Sequence, residues 1–220
     1  GAANPRGVPL PSPGKLAFSP AGGPGTGLAI GRDLAAKGAG VTITGRRQEV
    51  LDAVSGDGIT GMAMDVRDEA QVKDTIARAV AQFGPVQICI PNAGVAEGRA
   101  LHKTELDFWR DMMATNLDGA FLTIRECLHS MRQTDWGRVI AVSSMAGLRG
   151  LPGAACYSAS THGMIGLIRS LSEDYLGQPF TFNALCPGYV DTQTIARNPA
   201  ASPQRTGRTQ GKASDSKAHA

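Results

Sequence analysis

Residues 16–38 read LAFSPAGGPGTGLAIGRDLAAKG, and this stretch decides the fold. A short apolar run, LAFS (16–19), passes through PAGGPGTG (20–27) into LAIGRDLAAKG (28–38), whose apolar residues recur with helical spacing. A glycine-rich turn between a strand and a helix lets backbone N–H groups and the positive end of the helix dipole meet a pyrophosphate. Turns of this kind also occur without a nucleotide, so the rest of the chain has to decide between the two.

Working outward, five more short apolar runs read as strands: VTIT (41–44), ITGMAM (59–64), VQICI (86–90), RVIAVSS (138–144) and FTFNALC (180–186). Helical periodicity fills the gaps. Val72, Ile76, Ala79, Val80 and Phe83 form one apolar stripe, and Met164, Ile165, Leu167, Ile168 and Leu171 form another. Strands alternating with helices imply βαβ units, and right-handed crossovers then put helices on both faces of a parallel sheet. The expected fold is a doubly wound α/β domain of Rossmann type, with its ligand in the crevice outside the carboxyl ends of the strands.

Composition agrees with one such domain. The 220 residues suffice for a single core, and 42% of them are apolar. The 28 glycines are about 13% of the chain, nearly double the usual ~7%, which fits backbone that turns sharply or approaches a ligand. A net charge of +3 without a basic run argues against nucleic acid as a partner. Cys89, Cys127, Cys156 and Cys186 lack metal-ligand spacing, so no metal is expected, and they read as small buried residues in a reducing compartment. No window holds 18 consecutive apolar residues, and the N-terminus has no apolar signal region. A cytoplasmic protein without membrane association is therefore expected. Residues 1–14, with four prolines, read as a flexible leader, and 15–197 as the folded domain. Residues 198–220 read as a disordered polar tail, since Pro199–Ala220 contain no Val, Ile, Leu, Met or aromatic residue.

The second strand ends in Gly45-Arg46-Arg47. An acidic residue there would bond the adenosine ribose, whereas an arginine accommodates a 2′-phosphate. Arg46 thus favours NADP(H) over NAD(H); an arginine pair opening a solvated helix is the plainer alternative.

With these residues in view, the chain resembles the short-chain dehydrogenase/reductase family over roughly residues 15–197. The family's first motif, Thr-Gly-x-x-x-Gly-x-Gly, falls on Pro20–Gly27. Gly25 and Gly27 match, with Thr26 between them; Pro20 and Ala21 stand where the family has Thr and Gly, and Gly22 and Gly23 follow. Asp65-Val66 resembles the adenine contact. Asn92-Ala93-Gly94 matches the Asn-Ala-Gly motif, preceded by Pro91 where another Asn is usual. Asn116, in TNLDGAF, matches the helix asparagine. Pro187-Gly188, continuing through Val190, matches the segment that wraps the nicotinamide, and Thr192 resembles the residue that bonds its carboxamide.

The resemblance also implies the chemistry. Ser144 and Tyr157, thirteen residues apart, match the family's catalytic pair: Tyr157 would exchange a proton with the reacting oxygen, and Ser144 would donate a hydrogen bond to it. The structural alternative is a serine capping a turn and a half-buried helical tyrosine. In the family's Tyr-x-x-x-Lys, this chain has Tyr157-Ser158-Ala159-Ser160-Thr161. The family's lysine favours the tyrosinate and holds the nicotinamide ribose; each pKa unit of such tuning is about 1.4 kcal/mol, or tenfold. Thr161 is neutral and short, able to offer one ribose hydrogen bond, and Asn116 loses the lysine that the family's water relay serves. His162 points about 100° away around the helix.

The family's final strand is expected to be missing, because apolar content stops after Ile195. A homodimer through the helices around 105–133 and 155–176 is expected, and a tetramer is not. The leading expectation is an NADP(H)-dependent oxidoreductase interconverting a small-molecule secondary alcohol and ketone, at reduced activity. A nucleotide-binding pseudoenzyme with a regulatory or partner-binding role, and a truncated, poorly folding product, stay open beside it.

Overall fold

The structure, a computed structural model, describes residues 14–21 and 25–188. The expected leader (apart from Gly14), the 198–220 tail and the positions Gly23, Val190 and Thr192 lie outside these residues, as does any strand beyond 188.

Six strands form: β1 (Leu16–Pro20), β2 (Gly40–Gly45), β3 (Ile59–Ala63), β4 (Val86–Cys89), β5 (Gly137–Val142) and β6 (Phe180–Leu185). They make one sheet in the order β3-β2-β1-β4-β5-β6, with every pairing parallel. Helices α1 (Thr26–Ala36), α2 (Gln48–Asp52), α3 (Glu69–Phe83), α4 (Leu106–Met113), α5 (Gly119–Met131) and α6 (Ala155–Asp174) make the crossovers. The strand order reverses between β1 and β4, which opens the crevice where doubly wound sheets hold ligands.

The inner strands feed two cores because their side chains alternate between faces. On one face, Leu16 and Phe18 of β1 pack with Val72 and Ile76 of α3, Ile124 and Cys127 of α5, and Met164 and Ile168 of α6. On the other, Ala17 of β1, with Val41 and Ile43 of β2, packs with Leu28 of α1 and Leu51 of α2. Central strands are consequently apolar on both sides, as buried parallel strands require. Strand β6 alternates instead: Phe180 and Phe182 are buried, while Thr181 and Asn183 face outward. With β3 at the other end, it is one of the sheet's two edge strands among the described residues.

The expected stripe on α3 holds except at its end. Phe83 is 40% exposed, because the helix stops there and Gly84 turns the chain at φ +90°. The serines expected to close the fifth strand lie just beyond β5, which ends at Val142.

Between α4 and α5, Ala114–Asp118 form a π-helical turn, an insertion of the kind that helices carry at functional sites. The turn delivers Gly119 onto the end of β3: a Cβ on Gly119 would lie 2.9 Å from Val66 Cβ and 2.7 Å from its Cγ2. A stiff β-branched neighbour cannot yield there. Gly119→Ala should therefore lower stability by about 1–3 kcal/mol, although helix propensity alone would raise it by about 1 kcal/mol. A thermal melt reads the sign.

Candidate active site

The phosphate end is built by β1 and α1. Ala21 leaves β1 by donating its N–H to Thr44 O at 2.9 Å. Gly25 starts α1 at φ +150°, a conformation that side chains rarely adopt, and a Cβ there would meet nothing within 4 Å. The helix has no side-chain cap and no acidic residue in its first turn. Helix α3, by contrast, is capped by the Asp68 side chain, which accepts from Gln71 N, and carries Glu69 in its first turn. The first N–H groups of α1 are thus left for an anion, and a pyrophosphate suits them in charge and donor geometry. Gly27 is held close: a Cβ would lie 2.6 Å from Asn92 Nδ2 and 2.7 Å from Ala21 Cβ. Gly27 and Asn92, far apart in sequence, meet here because β1 and β4 are neighbours. Ala21 fits against the bare Gly27, which accommodates its departure from the family motif.

At the adenosine end, β2 and β3 stop side by side, with Gly45 opposite Ala63 and Met64 N donating to Gly45 O at 2.8 Å. Arg46 and Asp65 therefore emerge together. Arg46 is exposed. Asp65 is committed within the protein: Arg67 donates to its carboxylate from Nη2 at 2.7 Å, from Nε at 3.1 and 3.2 Å, and from its backbone N at 3.0 Å. These hydrogen bonds hold the Asp65 carboxyl below its ordinary pKa, and the charge of Arg46 adds to the effect. The Asp65 N–H donates to Gln71 Oε1 at 3.0 Å. Val66 is buried against Gly119.

At the chemical end the loop after β4, Asn92-Ala93-Gly94, leads to Val95, and Asn116 of the π-helical turn clamps it. Asn116 Oδ1 accepts from Val95 N at 2.8 Å, and Nδ2 donates to Val95 O at 2.9 Å. Gly94 permits this approach, since a Cβ there would lie 3.3 Å from Asn116 Oδ1. Asn116 Nδ2 also lies 3.1 Å from Ser160 Oγ and 3.2 Å from Met112 Sδ. Ser160 in turn donates to Tyr157 O at 2.8 Å. With no lysine at position 161, Asn116 bonds Val95 and the fully buried Ser160.

Thr161 is folded into its own helix. Its hydroxyl lies 2.9 Å from Tyr157 O and 3.1 Å from Ser158 O, and the side chain is buried. A threonine in a helix readily bonds the preceding turn, and here the hydroxyl bonds its own helix. His162 is exposed, with Nδ1 2.8 Å from Ser158 O.

The turn after β5 brings Ser144 to this helix. Ser143 N donates to Leu185 O at 2.8 Å, and Ser143 Oγ donates to Thr161 O at 3.3 Å. Gly147 closes the gap: a Cβ would lie 2.9 Å from Thr161 O and 2.5 Å from Ile165 Cδ1. Ser144 Oγ accepts from Ala146 N at 3.1 Å, capping the turn at Met145–Gly147 and leaving its own proton to donate elsewhere. Tyr157 is half-buried at the start of α6, and no described residue bonds its hydroxyl. Pro187 accepts from Met145 N at 3.0 Å, and Gly188 lies against Met145, so the 187–188 segment borders the same turn.

Sequence reasoning singled out neither Ser160, Gly147 nor Arg67. Ser160 differs from neighbouring serines only in facing Asn116, and Arg67 only in folding back on Asp65; no local pattern marks either.

A six-stranded 3-2-1-4-5-6 parallel sheet with an uncapped, glycine-led first helix defines a dinucleotide-binding Rossmann domain. Within that class, the chain belongs to the short-chain dehydrogenase family of oxidoreductases, whose family profile, described as "short chain dehydrogenase", matches residues 16–202. It is 38% identical over 181 residues to ketoacyl reductase 1 assigned to the granaticin polyketide synthase of Streptomyces violaceoruber, covering 79% of this chain and 66% of that one. It is 31% identical over 182 residues to the 3-oxoacyl-[acyl-carrier-protein] reductase FabG of Escherichia coli strain K12, covering 81% of this chain and 75% of the relative. Among solved structures, an actinorhodin polyketide ketoreductase variant with NADPH superposes with a TM-score of 0.79 at 30% identity, covering 94% of this chain and 78% of that one.

The Asn116 clamp sets a graded expectation. Asn116→Ala leaves both backbone groups of Val95 unpaired and should cost about 2 kcal/mol or more, whereas Ser160→Ala should cost about 1 kcal/mol. Chemical denaturation of the two variants checks the order.

Proposed function

We propose that this chain is an NADP(H)-dependent oxidoreductase that interconverts a secondary alcohol and a ketone, with substrates of the 3-oxoacyl class. The observation that carries the reading is the seating of the Ser144 turn on the Tyr157 helix, at the carboxyl edge of the sheet, through Gly147 and the Thr161 carbonyl. The substrate class is supported by the names of the relatives, two of which are ketoacyl or 3-oxoacyl reductases. The choice of NADP(H) is supported by exposed Arg46 and by the similar actinorhodin ketoreductase, whose structure was solved with NADPH.

In this reading the first N–H groups of α1 hold the pyrophosphate, with Gly25 and Gly27 keeping side chains clear of it and Thr26 between them at the helix start. Arg46 faces the 2′-phosphate, and Asp65 and Val66 border the adenine. Asn92, Ala93 and Gly94 line the nicotinamide side, with Pro187 and Gly188 opposite; Val190 and Thr192 belong to the proposal through the family resemblance alone. The bound cofactor supplies or accepts a hydride. Ser144 donates its free proton to the substrate oxygen, stabilising the charge that develops there. Tyr157 gives that oxygen a proton in reduction and takes it back in oxidation. Asn116, through Ser160, holds the cofactor loop against the Tyr157 turn.

Thr161 also supports a second reading, a nucleotide-binding protein with little turnover. Its hydroxyl is spent on the helix, and no described cation pairs with Tyr157. Both readings share the cofactor site and differ only in turnover. A homodimer across α4, α5 and α6 belongs to the same proposal, supported by exposed Leu106 and Phe121 and checked by sedimentation. A reducing, cytoplasmic setting is supported by the four free cysteines, three of them buried. No described helix is long and apolar enough to cross a membrane.

Equilibrium titration tests the cofactor assignment: NADPH should bind more tightly than NADH. Arg46→Asp should weaken NADPH about tenfold or more, as loss of a charged hydrogen bond predicts, with little change for NADH; equal losses would remove Arg46 from the site. A ketone panel at saturating cofactor then tests the chemistry. Thr161→Lys should raise turnover by roughly two orders of magnitude, about two pKa units of tyrosinate tuning. An unchanged rate with an accepted ketone would refute this role for position 161.

A further inference from the structure

We propose that Arg67 is a specificity-determining residue for the cofactor: by holding Asp65 in a bidentate ion pair, it keeps the Arg46 guanidinium free for the 2′-phosphate of NADPH. The inference rests on the NADP(H) reading above and adds a residue that acts without touching the phosphate.

Strand register brings the three charges together. Gly45 and Ala63 are paired at the ends of β2 and β3, and Met64 N still donates to Gly45 O. The next residues out, Arg46 on one strand and Asp65 on the other, share one corner of the sheet edge. The Arg46 charge acts on Asp65 across that corner. An arginine beside an unpaired carboxylate swings onto it, because a charged, bidentate hydrogen bond is among the stronger polar contacts available. The Arg46 side chain nevertheless forms no salt bridge with Asp65. Arg67 is already there, with Nη2 at 2.7 Å from one oxygen and Nε at 3.1 and 3.2 Å from the two.

Three features fix Arg67 in that pose. Its backbone N–H also donates to Asp65 Oδ1, so main chain and side chain approach the same carboxylate. Val66, between the two residues, is buried against Gly119 and cannot rotate away. The negative charge of Asp111 of α4 adds a smaller stabilisation of the Arg67 guanidinium. The pair is also local in sequence, so little chain entropy opposes it.

Two consequences for a 2′-phosphate follow. Asp65, neutralised by Arg67, repels the dianion less than a bare carboxylate would. Arg46, left without a carboxylate partner, keeps its donors for the phosphate oxygens. NADH, lacking that phosphate, gains neither benefit. The Arg67–Asp65 pair therefore acts on the ratio of the two affinities.

The test measures NADPH and NADH dissociation constants by fluorescence titration for the native chain, Arg67→Ala, and the double variant Arg67→Ala/Asp65→Asn, each with a melt to show cooperative folding. The NADPH-to-NADH affinity ratio should fall about tenfold in Arg67→Ala, the scale of one charged hydrogen bond. It should return toward the native value in the double variant, which removes the carboxylate that captures Arg46. Working with the ratio cancels any adenine contact that Asp65 makes to both cofactors. An unchanged ratio in Arg67→Ala overturns the inference. A ratio that falls and stays low in the double variant also overturns it, because Arg67 would then be touching the phosphate itself. A native chain with no preference for NADPH overturns the NADP(H) reading and this inference together, whereas a native preference that ignores Arg67 removes only the inference.

Discussion

Strand β1 is hydrogen-bonded to β2 on one side and to β4 on the other, and both ladders run parallel. Everything functional in the chain depends on that arrangement. Parallel pairing brings the carboxyl ends of all six strands to one edge of the sheet, so every crossover passes over the same edge before entering its helix. The reversal of strand order between β1 and β4 parts those crossovers. Gly27 and Asn92 close one side of the resulting crevice, and Ser144, Tyr157 and Pro187 border the other. Buried Phe18 and Ala17, on opposite faces of β1, anchor the sheet in both cores and make its central strand the least able to shift.

Hydroxyl and amide hydrogen bonds hold the chemical end in place. The Asn116 amide ties the loop after β4 to α6 through Ser160, and Ser143 ties the turn after β5 to the same helix through the Thr161 carbonyl. Both ties land within about one turn of Tyr157. Position 161 is consequently part of the scaffold: its hydroxyl faces the helix and its carbonyl receives Ser143, while Gly147 presses on that carbonyl from the same side. The hydrogen bonds around Tyr157 thus hold its turn without a cation at position 161.

The adenosine end follows another logic. There the strands simply stop, and exposed charges sort themselves by reach. Arg67 is two residues from Asp65 and folds onto it, while Arg46 is left facing solvent. Surface ion pairs contribute little to stability, so this one matters chiefly for which charges remain available to a ligand.

Much of this was legible in the residues. The alternation of apolar runs with helical stripes called for a parallel, doubly wound sheet, because strand and helix periods bury different faces and only crossovers join parallel strands. The glycine-rich turn at 20–27 marked the passage from the first strand into the first helix, where Gly27 comes too close to Asn92 and Ala21 to carry a side chain. Phe83 read as core and proved exposed, because periodicity does not say where a helix ends. Thr161 read as a short, neutral residue where the family has lysine, and only the helix around it shows its hydroxyl bonded to the preceding turn. Ser160, Gly147 and Arg67 carried no signal, since each matters through a neighbour brought up by folding. Local periodicity and glycine placement, short-range properties of the chain, determined the fold and the edge on which a ligand sits. Which hydroxyls and charges are spent on one another, and which stay free for chemistry, is settled by long-range contacts, and those exist only once the sheet has assembled.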